Sequence, residues 1–293
     1  MIKKTFLLLA IMFSVNFLIR DILKPDIILY QDMWHQNYIR AQSYIYSNTD
    51  SVENIIVGSS LSMPGRIIND SLKDLNFLNI ALPGEDPKDG LELIIKKNVF
   101  PKRLFVELNV ILKFDDTGFA NVVYNPVLYP LRRKIPTLRD GKQPMPLVAA
   151  MFHEYITQPL IPEKFAWNSN RNKEDNKTKL EIKDKIPDKK SETIEDKQKK
   201  AFERFKNDIN FLVEKGVTII FFEMPYDRCR EGVIPLFTDW TLEAFPPDKY
   251  IYIPSPKCGS FKSTDGVHLE GIETERYSHY FRTQVDSLIR IGK

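Results

Sequence analysis

Short, almost uninterrupted apolar runs alternate with amphipathic stretches from residue 54 onward. "NIIVG" (54–58), "NFLNIAL" (76–82) and "RLFVELNV" (103–110) read as buried strands. Near-continuous apolar strands separated by helices point to a parallel sheet covered on both faces. "DPKDGLELIIKKN" (86–98) predicts a helix with Asp86 near its start and Lys96 and Lys97 at its end, where the helix dipole favours each charge. After a break the rhythm resumes with a helix over about 192–215 and Gly216 as its C-cap. Then come "VTIIFFEMP" (217–225), a helix over 233–245, the short strand "KYIYIP" (249–254) and a last helix. In that helix Tyr277, Phe281, Val285, Leu288 and Ile289 recur at helical spacing. The order predicts an α/β fold, a three-layer α/β/α sandwich with a mostly parallel sheet. Reactive residues in such a domain lie at the carboxyl ends of strands.

The rhythm fails between about 113 and 198, which marks an insertion within a domain spanning 53–293. Prolines crowd residues 126–162, together with the basic cluster Arg132, Arg133 and Lys134. Residues 168–200 are mostly Lys, Glu, Asp and Asn. Such a segment buries too little apolar area to offset the entropy of ordering, so it is expected to be a partly mobile, solvated linker.

The amino terminus changes the picture. "MIKKTFLLLAIMFSVNFLIRDILK" sets Lys3 and Lys4 ahead of a mostly apolar run that ends at Arg20 and Lys24. Residues 1–24 are therefore expected to be an uncleaved membrane anchor, with a cleaved signal and a buried helix as alternatives. Lysines before the run stay in the cytoplasm, so the rest of the chain would be exported, periplasmic or extracellular. The juxtamembrane segment 25–52 carries Ile27, Ile28, Leu29, Tyr30, Trp34, Tyr38, Tyr44 and Tyr46. Two places suit it, against its own domain or along the membrane.

Composition narrows the classes. The 293 residues are 43% hydrophobic and 28% charged, enough for a sizeable core. With 42 basic and 39 acidic side chains the net charge is +3, without the concentrated basic excess of a nucleic-acid binder. Two cysteines, Cys229 and Cys258, exclude a cysteine-rich zinc framework. In an oxidising compartment they either pair or remain buried thiols.

Candidate chemistry centres on "IIVGSSLSMPGR" (55–66), where small hydroxyls follow the first buried strand. A serine becomes a nucleophile when an imidazole takes its proton and a carboxylate holds the imidazole's tautomer. Of the four histidines, His35, His153 and His279 read as surface residues. His268 sits in "STDGVHLEG", three positions after Asp265, on a loop opening the last helix. That spacing lets both side chains face one pocket.

Gly58-Ser59-Ser60-Leu61 after the first strand, Gly84 after the second, Asn109 after the third and Asp265-x-x-His268 before the last helix follow one order. The set resembles the SGNH (GDSL) hydrolase superfamily of esterases, lipases and carbohydrate O-acyltransferases, over about 54–110 and 200–290. The resemblance implies a flavodoxin-like sheet and a catalytic triad of Ser60, His268 and Asp265. It also implies an oxyanion hole from the backbones of Ser60 and Gly84 and the amide of Asn109. The first block has Ser59 where the family has Asp. The third, usually Gly-x-Asn-Asp, reads Glu107-Leu108-Asn109-Val110. Asn109 is thus equally readable as a strand-end residue satisfying local backbone, and Gly84 as a plain turn glycine. Ser59 and Ser62 read as turn residues.

The expected activity is a serine esterase or O-acyltransferase, without metal or cofactor, acting on a cell-envelope or exported polysaccharide. Its expected partners are the carbohydrate, the membrane and, for a transferase, a membrane-embedded acyltransferase. The other class compatible with these residues is a non-catalytic SGNH-like binding subunit of an envelope assembly. Sequence leaves open esterase against transferase, the acyl group, the acceptor and the oligomeric state.

Overall fold

The computed structural model describes residues 33–48, 51–67, 69–110, 118–142, 194–225, 235–257, 259–263 and 265–290, with residues 11 and 14. The expected anchor and most of the charged segment 168–200 lie outside these residues, as do Cys229, Cys258 and His153. Among the described residues no helix is long and apolar enough to cross a membrane.

By its contacts the chain divides into two compact units. One comprises residues 1–30 and 142–196, almost wholly outside the described residues. The other, 31–141 with 197–293, holds all five strands. They are β1 (Asn54–Val57), β2 (Phe77–Asn79), β3 (Arg103–Glu107), β4 (Thr218–Phe222) and β5 (Ile251–Tyr252). They form one sheet in the order β2-β1-β3-β4-β5, every pairing parallel. The chain is an α/β protein.

The helices are α1 (Met33–Tyr46), α2 (Pro87–Lys97), α3 (Phe119–Val123), α4 (Leu128–Lys134), α5 (Ile194–Glu214), α6 (Pro235–Ala244) and α7 (Ile272–Arg290). Asp86 caps α2 by accepting the Lys88 N–H, and Asn98 closes it at a left-handed φ of 56°. Every expected helix and strand over described residues is present, the strands shorter by one to four residues.

Alternation along the strands sends successive side chains to opposite faces. Ile55, Val57, Leu104, Val106, Ile219 and Phe221 join one apolar cluster with residues of α1, α2, α3 and α5. Ile56, Phe105, Ile220 and Phe222 join a second with Leu61, Ile67, Leu72 and Tyr277, Phe281 and Val285 of α7. The β1–β3 pairing is the point where the strand order reverses, and crevices for ligands form there beyond the carboxyl ends of the strands.

Of the two placements open to the segment 25–52, its α1 portion packs on the domain. Ala41, Tyr44 and Ile45 are buried, Trp34 meets Phe119 edge-on with ring centroids 5.1 Å apart, and Tyr46 stacks on Tyr129 at 5.5 Å. Asn37 donates to the Pro83 carbonyl at 2.7 Å and Gln42 to Asp140 at 2.5 Å. Part of the expected insertion behaves the same way: residues 118–141 belong to the unit that holds the sheet.

Candidate active site

Leaving β1, the chain turns at Gly58 and carries Ser60 past the edge of the sheet. A Cβ on Gly58 would lie 2.1 Å from the Ser62 hydroxyl oxygen and 2.5 Å from a Glu107 carboxylate oxygen, so only glycine fits. Ser60 Oγ stands 2.9 Å from His268 Nε2, and His268 Nδ1 stands 2.5 Å from an Asp265 oxygen. The other Asp265 oxygen accepts the Val267 N–H at 2.9 Å and the His268 N–H at 2.7 Å. With the carboxylate on Nδ1–H, Nε2 presents its lone pair to the Ser60 hydroxyl. Partial burial pushes the Asp265 carboxyl up, and the His268 and Val267 hydrogen bonds outweigh it, holding it at about 2.

Two contacts seat the histidine loop against the nucleophile turn. Arg66, just after Pro64 and Gly65, donates to the Leu269 carbonyl and reaches Glu270 at 3.4 Å. A bridge between Ser263 and Leu269 closes the loop on itself.

The three residues expected to form a triad are therefore brought together in hydrogen-bonded sequence. The remaining expected residues lie beyond the ends of neighbouring strands. Gly84 follows β2 at φ +74°, with Met33 of α1 where a Cβ would project, at 2.5 Å. Asn109 follows β3 and ties it to β4: its amide donates to the Met224 carbonyl at 2.8 Å and accepts the Met224 N–H at 2.7 Å. The second N–H of that amide has no partner among the described residues. His279 is exposed on α7. Among the described residues no group of three or more His, Cys, Asp or Glu is placed to hold a metal ion.

The residue that sequence reasoning noted only as a departure from the family pattern is Glu107. It is fully buried, and one of its oxygens accepts the Ser59 N–H at 2.9 Å and the Ser62 hydroxyl at 2.5 Å. The other accepts the Ser59 hydroxyl at 2.8 Å, while Ser59 Oγ in turn accepts the Leu61 N–H at 3.2 Å. Burial pushes the Glu107 carboxyl up, against the pull of these hydrogen bonds. Asn79, at the end of β2, adds a bond to the Ser62 carbonyl at 2.7 Å. The available signal was an acidic residue closing the apolar run Leu104-Phe105-Val106, where an apolar one would be expected.

No protein-family model, curated protein or solved structure matches the chain.

Proposed function

We propose that the chain is an SGNH-type serine enzyme that transfers or hydrolyses acyl esters through an acyl-enzyme. The observation that carries this reading is the line Ser60 Oγ–His268 Nε2, His268 Nδ1–Asp265, 2.9 and 2.5 Å in length, at the reversal of a parallel sheet. The two apolar clusters support the finer architecture, a three-layer sandwich of the SGNH kind.

His268 Nε2 takes the Ser60 proton as Oγ attacks the acyl carbonyl, and Asp265 holds the imidazolium that forms. The donors this reading assigns to the carbonyl oxygen as it gathers negative charge are the Ser60 and Gly84 N–H groups and the second N–H of the Asn109 amide. Collapse expels the donor's leaving group (a sugar oxygen when the donor is an acylated glycan), which takes the proton from His268, and the acyl group stays on Ser60. Water attacking next releases a free acid. A second sugar hydroxyl attacking instead completes a transfer.

The apolar run within residues 1–24 and the lysines before it support a membrane anchor with the enzyme domain exported. There the substrate is a cell-envelope or exported polysaccharide. Cytoplasmic acyl donors are out of reach, so a transferase would take its acyl group from a membrane-embedded acyltransferase. The test incubates the full chain with O-acetylated polysaccharide alone, and separately with an activated aryl acetate as acyl donor together with an unacylated carbohydrate acceptor. Free acetate without acceptor makes it an esterase, and acceptor-dependent transfer makes it a transferase. If Ser60→Ala matches wild type in both assays, the chain is a binding subunit.

A further inference from the structure

We propose that Glu107 is a positioning residue for the nucleophile: it clamps the Ser59–Ser62 turn so that Ser60 Oγ and the Ser60 N–H face the reacting acyl group. This rests on the serine-enzyme reading for its consequence in rate, but the clamp itself is independent of it.

Among the described residues every hydrogen bond of the Glu107 side chain goes to this one turn, and none to the sheet that surrounds it. Ser59 is held twice, by its N–H and by its hydroxyl, and Ser62 once, so the residues either side of Ser60 and Leu61 are pinned to the end of β3. The Ser59 N–H bond fixes the peptide plane before Ser59, and the hydroxyl bond fixes its side chain. The Leu61 N–H on Ser59 Oγ and the Ser62 hydroxyl on Glu107 close the turn from the far side and so restrict the peptide that carries the Ser60 N–H. The Leu61 N–H closes onto Ser59 Oγ, which leaves that hydroxyl's own hydrogen for Glu107. The approach is possible only because Gly58 has no side chain. Leu104, Phe105 and Val106 fill the same strand with apolar bulk. A leucine at 107 would continue that pattern and avoid burying a carboxyl group, so packing alone does not account for an acid there.

The experiment compares the full chain with Glu107→Gln, Glu107→Asp and Glu107→Leu at a temperature well below each variant's Tm. Two readouts are taken: steady-state ester turnover, and deuterium exchange of the 58–62 amides. Gln keeps the reach and one oxygen able to accept both Ser59 N–H and Ser62 O–H. Asp keeps the carboxyl group but stops a methylene short. Leu keeps the bulk and no acceptor. The clamp predicts kcat within about fivefold of wild type for Gln, and about 100-fold lower for Asp and Leu at unchanged KM. Exchange in the turn should be faster in Asp and Leu while the sheet stays protected. Wild-type kcat in Glu107→Leu, or losses that follow Tm alike in all three, would overturn it. If the wild-type chain turns over no ester, the enzyme reading fails. Exchange then decides the clamp, and unchanged exchange at 58–62 in Glu107→Leu overturns it.

Discussion

Ser60 and His268 are 208 positions apart in the chain, yet their reactive atoms sit at hydrogen-bond distance. A surface serine has no reason to be met by an imidazole whose other nitrogen is already on a carboxylate. Ser60→Ala should therefore abolish ester turnover without lowering Tm, and His268→Ala should cost orders of magnitude in kcat. Asp265→Asn should cost less than His268→Ala, because the two backbone N–H bonds still hold the side chain in place. The Asp265 carboxyl, held at about 2 against about 3.9 for a free Asp, is ionised throughout the assay range. Its stabilisation is present above the ordinary Asp range and is lost only as pH falls through about 2. Gly58→Ala is a sharper test of local geometry. The added methyl must displace either the Ser62 hydroxyl or the Glu107 carboxylate, so activity should fall at least as far as in Glu107→Leu. Wild-type turnover in Gly58→Ala would mean that the turn tolerates what the geometry forbids.

Helix α1 belongs energetically to the sheet domain although it precedes the first strand. It buries Tyr38, Ala41, Tyr44 and Ile45 in the same cluster as β1 and β3. Several such side chains contribute roughly 5 kcal/mol together. A chain starting at residue 53 should accordingly melt well below one starting at residue 31, or fail to fold. Equal Tm values for the two would show that α1 is dispensable. The seam between α2 and α5 works in the opposite direction. Burial, then repulsion from Asp86, Glu85 and Glu92, pushes Asp89 up to about 7. Burial and Glu92 push Asp208 of α5 up to about 6. A carboxyl raised by folding binds its proton more tightly in the folded chain, so stability falls as pH rises from the ordinary carboxyl range towards 7. Asp89→Asn should raise stability at pH 8 by on the order of 3 kcal/mol and leave it nearly unchanged at pH 4. Thermal melts at the two pH values check this, and an equal shift at both would refute it.

At the scale of the whole molecule, what sequence made legible was whatever a local pattern encodes. The runs at 54–58, 103–110 and 217–225 became strands because near-continuous apolar residues have no stable place other than a sheet covered on both sides. The helix at 86–98 was legible to within a residue because Asp86 and Asn98 carry the caps themselves. Strand ends were less legible, since Leu108 and Met224 extend the apolar runs beyond the ladder. The Ser60, His268 and Asp265 line was legible because the chain has only four histidines, one of them three positions after an aspartate on a loop opening a helix, and because Ser60 follows a buried strand. Glu107 was not, because its partners Ser59 and Ser62 lie 45 to 48 positions away and nothing local requires them. Two of the departures from the family pattern, Ser59 in the first block and Glu107 in the third, turn out to be joined by two hydrogen bonds. Arg66 was invisible for the same reason, its acceptors at 269 and 270 being distant in the chain.

The most direct measurement of the central claim is reaction of the full chain with a fluorophosphonate, followed by peptide mapping of the modified residue. An activated Ser60 attacks phosphorus, expels fluoride and retains the phosphonyl group. The account predicts a single adduct on Ser60, lost in His268→Ala. No adduct, an adduct on Ser59 or Ser62 instead, or labelling of Ser60 undiminished in His268→Ala would contradict it.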